Sequence, residues 1–289
     1  MASPTRAPGR RRLASLLLAT AAIVSIAAPV GVRASYAVDE ATLDAQEAAM
    51  VDFLNQDRTD RGLVPVRTDP RLMAIARARS DDMVAKGYFS HTQPDGRNVF
   101  DILTAQHITW YNAGEIIAWN NYPLDVTAST ANHQWMNSPG HHAIIVSTDF
   151  NYVGVGLAVD PTTGKKMWTA VYIKGPDRTP ARAAWSTPSL GAGATTTTRR
   201  ASLRWTGSDP RLQVLTAGLK GFTVQRRVDG GPWTTVWSGT LATSGSLTLT
   251  LGHRYEVRIA AVDKKGNWSP WRTLAFDLVR NTRLITPRP

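Results

Sequence analysis

The spacing of apolar residues differs between the start and the end of this chain, and that difference restricts the folds available to it. Residues 42–61 carry apolar side chains at helical spacing, and so does a second segment that opens at Asp69-Pro70 and ends at Gly87. From about residue 201 to 279 the apolar residues instead lie in short alternating runs separated by turns. A chain of 289 residues can bury two cores. The pattern therefore predicts a helix-containing domain followed by an all-β domain.

The first domain, residues 39–174, is predicted to be α+β. Beyond the two long helices, the sequence favours short helices around 99–106 and 126–136 and strands at 152–159 and 167–173. Gly164 lies between the two strands and predicts a turn, so the strands are expected to form a hairpin. Helices combined with an antiparallel sheet indicate a sandwich-like α+β domain.

The segment 175–200 is rich in Thr, Ala, Pro and Gly, and we expect a linker that contributes nothing to a core. The region that follows, residues 201–279, is predicted to form a β-sandwich. Its expected strands are 202–205, 221–228, 234–237, 246–251, 255–262 and 271–278.

Residues 1–34 resemble a secretory signal peptide. A basic start is followed by an apolar run from Leu13 to Val30 and by the small-x-small pattern Val32-Arg33-Ala34. The alternative is a retained membrane anchor, because the run is about long enough to span a bilayer. Removal would take away five arginines and no acid, which lowers the formal net charge from +11 to +6. That excess suits anionic wall polymers or lipid headgroups, and it also suits a basic surface without a partner.

The sequence contains no cysteine. Disulfides, cysteine-ligated metals and cysteine nucleophiles are therefore excluded. An exported protein of this size without disulfides is more typical of bacteria than of a eukaryotic secretory pathway. We expect a protein that is secreted or associated with the cell wall.

Three segments of the first domain carry ionisable side chains next to Gly or Pro, and we expect each in a loop or at a helix end. They contain His91, Glu115 and His141, and Ser138 lies beside the last of these. Two histidines and one glutamate bind zinc and leave a fourth position for water, so zinc is the candidate cofactor. The alternatives are structural: His91 as a loop hydrogen-bonding residue, Glu115 as a cap, and His141 in the first turn of a helix.

The first domain resembles the bacterial branch of the CAP (SCP-like) superfamily. The resemblance rests on residues spread over the whole domain in the family's order: Leu54-Asn55, Arg58, Gly62-Leu63, Leu72, Ala76, Met83, Phe89-Ser90-His91, Gly114-Glu115, Trp135, Ser138-Pro139-Gly140-His141 and Gly154-Val155-Gly156. It implies an α-β-α sandwich with a surface cleft containing His91, Glu115 and His141. The family usually has Asn where this chain has Ile116 and Ile144, and loss of those amides is expected to weaken catalysis.

The second domain resembles a fibronectin type III module. The resemblance rests on the run from Leu251 to Asp263, followed by Gly266-Asn267 and Ser269-Pro270-Trp271. It implies a β-sandwich with a tyrosine corner at Tyr255.

Three functions are compatible with these features. The first is a secreted, non-catalytic binding protein, expected to be a monomer, whose cleft holds a small ligand, lipid or metal and whose partners are a cell-wall polymer, a glycan or a lipid. The second is a metal-dependent hydrolase in which His91, Glu115 and His141 hold the metal and bound water is the nucleophile. The third, a nuclease or nucleic-acid binder, has only charge in its favour. No nucleic-acid motif is present, export argues against this function, and we expect no nucleic-acid partner. Four aromatic residues flank Glu115 and are candidates either for a ligand groove or for core packing: Trp110, Tyr111, Trp119 and Tyr122.

Overall fold

A computed structural model describes residues 38–279 and the backbone of residues 283–285. The expected signal peptide lies outside these residues. The helices in the described part are α1 Glu40–Thr59, α2 Pro70–Lys86, α3 Val99–Ala105, α4 Leu124–Met136 and α5 Pro139–Ile145. No described helix has the length and apolar character needed to cross a membrane.

The ends of α2 follow from its sequence. The carboxylate of Asp69 accepts a hydrogen bond from the Arg71 amide at 2.9 Å, and Pro70 occupies the first helical position. Gly87 ends the helix in the left-handed conformation, with φ of 66°. The predicted bounds of this helix are confirmed, whereas α1 begins two residues earlier than predicted because Asp39 caps it through the Thr42 amide.

The first domain is a three-layer sandwich. Its sheet has the order β1-β3-β4-β2, in which β1 is parallel to β3 and the other pairs are antiparallel. The strands are β1 Arg67–Thr68, β2 Asn112–Asn120, β3 Tyr152–Val159 and β4 Lys166–Lys174. Helices α1, α4 and α5 pack on one face around Trp135 and Trp168, and α2 and α3 pack on the other around Leu72 and Val171. The α-β-α arrangement implied by the resemblance is confirmed.

Helix α2 approaches strand β3 closely at two glycines. A Cβ atom on Gly154 would lie 2.0 Å from the carbonyl carbon of Leu72, and one on Gly156 would lie 2.1 Å from the amide nitrogen of Arg77. Backbone therefore packs against backbone here, and only glycine fits. The contact fixes α2, and with it the side chains that α2 supplies to the site.

The second domain consists of two β-sheets around its own core. One sheet has the order β10-β7-β5, with β6 also paired to β7, and the other has the order β13-β12-β11-β8-β9. The core between them contains Trp205, Phe222, Val257 and Ile259. The strands are β5 Arg182–Trp185, β6 Ser189–Ala192, β7 Thr198–Ser208, β8 Leu219–Val228, β9 Thr234–Thr240, β10 Ser244–Thr250, β11 Arg254–Asp263, β12 Arg272–Asp277 and β13 Arg283–Ile285. The strands predicted for residues 201–279 are confirmed.

The expectation that residues 175–200 contribute nothing to a core is wrong. Strands β5 and β6 lie in this segment, and both pair with β7. Ala181 and Ala183 are buried in the sandwich core, and the ring of Trp185 packs edge-on against Trp205 with centroids 5.7 Å apart. The small side chains of Ala181 and Ala183 can form part of the core because β7 pairs with β5 and the large Trp205 side chain fills the adjacent volume.

The two domains are packed against each other. Leu212, in the loop after β7, is buried in the same cluster as Leu72 and Tyr152 of the first domain. The side-chain amide of Gln213 accepts a hydrogen bond from the Val64 amide at 2.7 Å, and Asn151 donates to the carbonyl of Val214 at 3.1 Å. These contacts hold the loop that follows β7 against the first domain.

Candidate functional site

Glu115 lies in the middle of strand β2, not in a loop as expected. It is buried, and its side chain faces α2. Successive residues of a strand point to opposite faces, so Ile116 points the other way and is fully buried in the core against α1, α4 and α5. The amide that the family has at position 116 would therefore not reach Glu115.

Ile144 also belongs to the packing of the domain. It is half-buried against the main core, and its methyl groups lie about 3.4–3.5 Å from the position of a Cβ atom on Gly114. An isoleucine here fills the space left by that glycine.

Arg79 holds the carboxylate of Glu115 from the α2 side. Its Nε donates to Glu115 Oε1 at 2.9 Å, and both side chains are almost fully buried, with 1% and 3% of their surface exposed. Arg79 is absent from the predicted site, although its position carries a signal: it continues the apolar spacing of α2 set by Leu72, Ile75 and Ala76. An arginine on the buried face of a helix needs hydrogen-bond acceptors, and Glu115 is the charged acceptor of Arg79.

The same guanidinium shapes the loop that carries His91. Arg79 donates to the Tyr88 hydroxyl at 2.7 Å, to the Ser90 carbonyl at 2.9 Å and to the His91 carbonyl at 3.2 Å. The Tyr88 hydroxyl donates in turn to Asp82 at 2.7 Å. Glu115 is therefore connected through Arg79 to both the backbone and the side chains of this loop.

His91 contacts the second oxygen of Glu115. The Nδ1 atom of His91 lies 2.7 Å from Oε2, while 54% of the imidazole surface is exposed. A carboxylate bound to Nδ1 orients the ring and leaves Nε2 directed away from Glu115. His91 and Glu115 are therefore in direct contact.

His141 lies in the first turn of α5, after Pro139, as the sequence suggested. The side chain is half-buried. Burial lowers its pKa, and the positive charge of His91 lowers the pKa further. His91 is therefore close enough to influence the charge of His141.

A cleft of about 440 Å³ lies beside strand β2, which is an edge strand of its sheet. Ser138 and His141 line it, whereas His91 and Glu115 do not. The lining is predominantly apolar and includes three aromatic side chains that are largely exposed: Phe89, Trp119 and Tyr122. The Nζ atom of Lys165 lies 4.2 Å from the centre of the Trp119 ring.

The other aromatic residues that flank Glu115 do not line this cleft. Trp110 is half-buried and packs against Phe100, with ring centroids 6.0 Å apart. Tyr111 is exposed. Of the four aromatic candidates, Trp119 and Tyr122 are the pair placed to contact a bound molecule.

A zinc ion held by His91, Glu115 and His141 does not fit the arrangement of these side chains. Both oxygens of Glu115 are already bound, one by Arg79 and the other by His91. Among the described residues, the three side chains do not bring one ligand atom each within 4.8 Å of the others. No catalytic step through a metal follows from this geometry.

Comparison with known proteins agrees with the fold of the first domain. Residues 51–172 match the CAP family, described as the cysteine-rich secretory protein family. Residues 51–172 are a CAP domain. This CAP domain contains no cysteine, in contrast to the family's name.

Two relatives from Bacillus subtilis (strain 168) match part of the chain. The uncharacterized protein YkwD is 34% identical over 133 residues, which are 46% of this chain and 48% of YkwD. The uncharacterized membrane protein YlbC is 30% identical over 128 residues, which are 44% of this chain and 34% of YlbC. The chain therefore spans less than half the length of either relative.

Solved structures of bacterial proteins are also similar to about half of the chain. An extracellular protein with an SCP domain from Bacillus anthracis is 25% identical, with a TM-score of 0.41, and the match covers 48% of this chain and 45% of that one. An outer surface protein from Borrelia burgdorferi is 16% identical, with a TM-score of 0.42 and coverage of 49% and 98%.

Proposed function

We propose that this chain is an extracellular or cell-envelope binding protein whose CAP-domain cleft holds a small amphipathic ligand. The observation that carries the proposal is the composition of the cleft. Three exposed aromatic rings, those of Phe89, Trp119 and Tyr122, lie in one cavity with the polar side chains of Ser138 and His141. Exposed aromatic rings beside a few polar groups are typical of small-molecule sites, because the rings bury apolar surface and the polar groups fix orientation.

The state of Glu115 favours binding over catalysis. A general base must lie within hydrogen-bonding reach of the molecule it acts on, whereas Glu115 does not line the cleft and contacts Arg79 and His91 instead. In the proposed binding protein, Glu115 and Arg79 form a buried support that fixes the 88–91 loop, including Phe89, at the wall of the cleft.

The placement outside the cell rests on the sequence. Residues 1–34 have the order of a secretory signal peptide. A cell-wall polymer, a glycan and a lipid are the candidate ligands, since each offers an apolar face or chain together with polar groups.

We also propose that the second domain is a fibronectin type III-like spacer or adhesion module. Its two antiparallel sheets support this identity, and so does Tyr255, whose hydroxyl accepts a hydrogen bond from the Thr250 amide at 3.0 Å. A tyrosine that returns to the backbone a few residues upstream is the contact found in tyrosine corners.

Fluorescence titration of the mature chain tests the binding proposal. A fluorescent fatty acid and soluble peptidoglycan fragments serve as the two probes, and we expect saturable binding of at least one. Trp119→Ala should weaken that binding by about tenfold or more, because it removes an aromatic side chain from the cavity wall.

Trp268→Ala is the matched control. Trp268 is also an exposed tryptophan, with 50% of its surface accessible, but it belongs to the second domain. Affinity unchanged by Trp268→Ala and reduced by Trp119→Ala would support the cleft. Binding of neither probe, or equal losses in the two variants, would contradict the proposal.

Zinc stays a prediction from the sequence, which elemental analysis of the purified chain checks directly. Stoichiometric zinc that is lost in His91→Ala and in His141→Ala would indicate that the site rearranges to accept a metal. The geometry leads us to expect no stoichiometric zinc.

A further inference from the structure

Three aspartates from distant parts of the chain meet where the second domain joins the CAP domain. Asp177 follows strand β4, Asp209 follows β7, and Asp263 ends β11. Each offers a carboxylate oxygen that lies within 4.8 Å of the other two. Asp177 and Asp263 are 3% and 0% exposed, and Asp209 is half-buried.

One oxygen in this cluster has no partner. The Oδ1 atom of Asp209 is buried, with less than 1 Å² accessible, and no described residue donates a hydrogen bond to it. Buried carboxylate oxygens are nearly always hydrogen-bonded, because desolvation without a partner is costly. An acceptor of this kind, next to two more carboxylates, is available to bind a cation.

The cluster also lacks a compensating positive charge. Among the described residues, no Lys, Arg or His nitrogen forms an ion pair with Asp177, Asp209 or Asp263. Burial raises the pKa of Asp209, and the charges of the other two aspartates raise it further. Three carboxylates this close repel each other unless a cation lies between them.

Backbone amides hold the three carboxylates in their positions. Asp177 accepts hydrogen bonds from the Thr179 and Ala217 amides, each at 2.8 Å. The Gly218 amide donates to Oδ2 of Asp209 at 2.5 Å. The Lys265 and Asn267 amides each donate to Oδ1 of Asp263 at 2.8 Å, and the side-chain amide of Asn267 donates to Oδ2 of Asp263 at 2.7 Å. A carboxylate oxygen has two lone pairs, so both oxygens of Asp177 and Oδ2 of Asp263, which accept one hydrogen bond each, can make a second interaction.

We propose that Asp177, Asp209 and Asp263 bind a calcium ion that ties the second domain to the CAP domain. The donors are all carboxylate oxygens, which favour hard cations over zinc or copper. Calcium accepts six to eight oxygens in flexible geometry, whereas magnesium usually keeps several waters and uses one or two carboxylates. Three carboxylates at one point match calcium better.

The position of the site gives the ion a structural role. Asp177 lies just beyond the last strand of the CAP domain, and Asp209 and Asp263 belong to the second domain. Asn267 already joins the two parts by donating to the Asp177 carbonyl at 3.0 Å. Calcium would remove the repulsion at this junction and stabilise the packed arrangement of the two domains.

Calorimetric titration of the chelator-treated full chain tests the proposal. With calcium chloride we expect one ion per chain and a melting temperature that rises with calcium concentration, since a ligand of the folded state stabilises it. The affinity for magnesium should be lower than that for calcium by about tenfold or more. Absence of both a binding signal and a melting shift up to about 10 mM calcium, above the range of weak extracellular sites, would overturn the proposal.

Asp209→Asn is the variant that locates the ion, because it neutralises the carboxylate with the unpartnered oxygen. We expect calcium affinity to fall by about tenfold or more. Asp52→Asn is the control: Asp52 is exposed on α1, and its variant should bind calcium as the original chain does. Undiminished calcium binding by Asp209→Asn would overturn the assignment. If that variant does not fold, the titration of the original chain still decides whether calcium binds.

Discussion

The Nδ1 atom of His91 lies 2.7 Å from Oε2 of Glu115, and the two side chains differ sharply in exposure. The carboxyl group is 3% exposed, whereas the imidazole is 54% exposed. Glu115 is also the partner of the buried Arg79. A buried ion pair therefore supports a histidine at the surface, and the two halves of this contact should respond differently to mutation.

Glu115→Ala should lower the free energy of unfolding by about 3 kcal/mol or more, because the Arg79 charge would stay buried without its partner. His91→Ala should cost less than about 1 kcal/mol, since the imidazole is mostly in solvent. Urea denaturation at neutral pH measures both values. Similar losses in the free energy of unfolding for the two variants would mean that Glu115 does not stabilise the fold mainly through its ion pair with Arg79.

Stability should depend on pH through His141. Its pKa is lower in the folded chain than in the unfolded chain, so the unfolded state binds more protons as the pH falls below about 6.5. Stability is therefore expected to fall from pH 7 to pH 5, and His141→Gln should make that dependence shallower. Urea midpoints at the two pH values provide the measurement.

Ser138→Ala is the control for this pH dependence. Ser138 lines the same cleft but has no group that titrates in this range. Its variant should keep the slope of the original chain. An unchanged slope in His141→Gln would show that other groups cause the loss of stability in acid.

Much of the fold is predictable from the sequence because its signals are local. Asp69, Pro70 and Gly87 bound α2 through capping and a left-handed residue, and each acts on the backbone next to it. Strand β5 is not predictable in this way because its signal is not local. Ala181 and Ala183 are small, and they form part of a core only because β7 and Trp205 lie against them.

The candidate site is predictable only in part for the same reason. The chemical groups of His91, Glu115, Ser138 and His141 can be read from the sequence, but Gly114 indicates a loop where the structure has a strand. The partner that determines the state of Glu115 is Arg79, which is 36 residues away in the chain. Whether a carboxylate is free or paired depends on tertiary contacts, and spacing does not reveal these.

Tyr255→Phe should reduce the stability of the second domain by about 1 kcal/mol. The variant removes the hydroxyl that accepts the Thr250 amide at 3.0 Å and leaves that partly buried amide without its partner. Tyr122→Phe is the control, because Tyr122 is 54% exposed and belongs to the CAP domain. Chemical denaturation of the full chain measures both variants. A loss for Tyr122→Phe as large as that for Tyr255→Phe would argue against the tyrosine corner.

Gly156→Ala should destabilise the CAP domain by about 3 kcal/mol, because the new Cβ would lie 2.1 Å from the backbone nitrogen of Arg77. Helix α2 would have to move away from β3 and take Arg79 with it, so the contact between Arg79 and Glu115 should loosen as well. Gly140→Ala is the control, since a Cβ atom on Gly140 would have no neighbouring atom within 4 Å. Denaturation midpoints measure stability, and the ¹⁵N chemical shift of Arg79 Nε reports on the ion pair. Normal stability of the Gly156→Ala variant would mean that this close contact with β3 is not needed to hold α2, and the Arg79 side chain that it carries, in place.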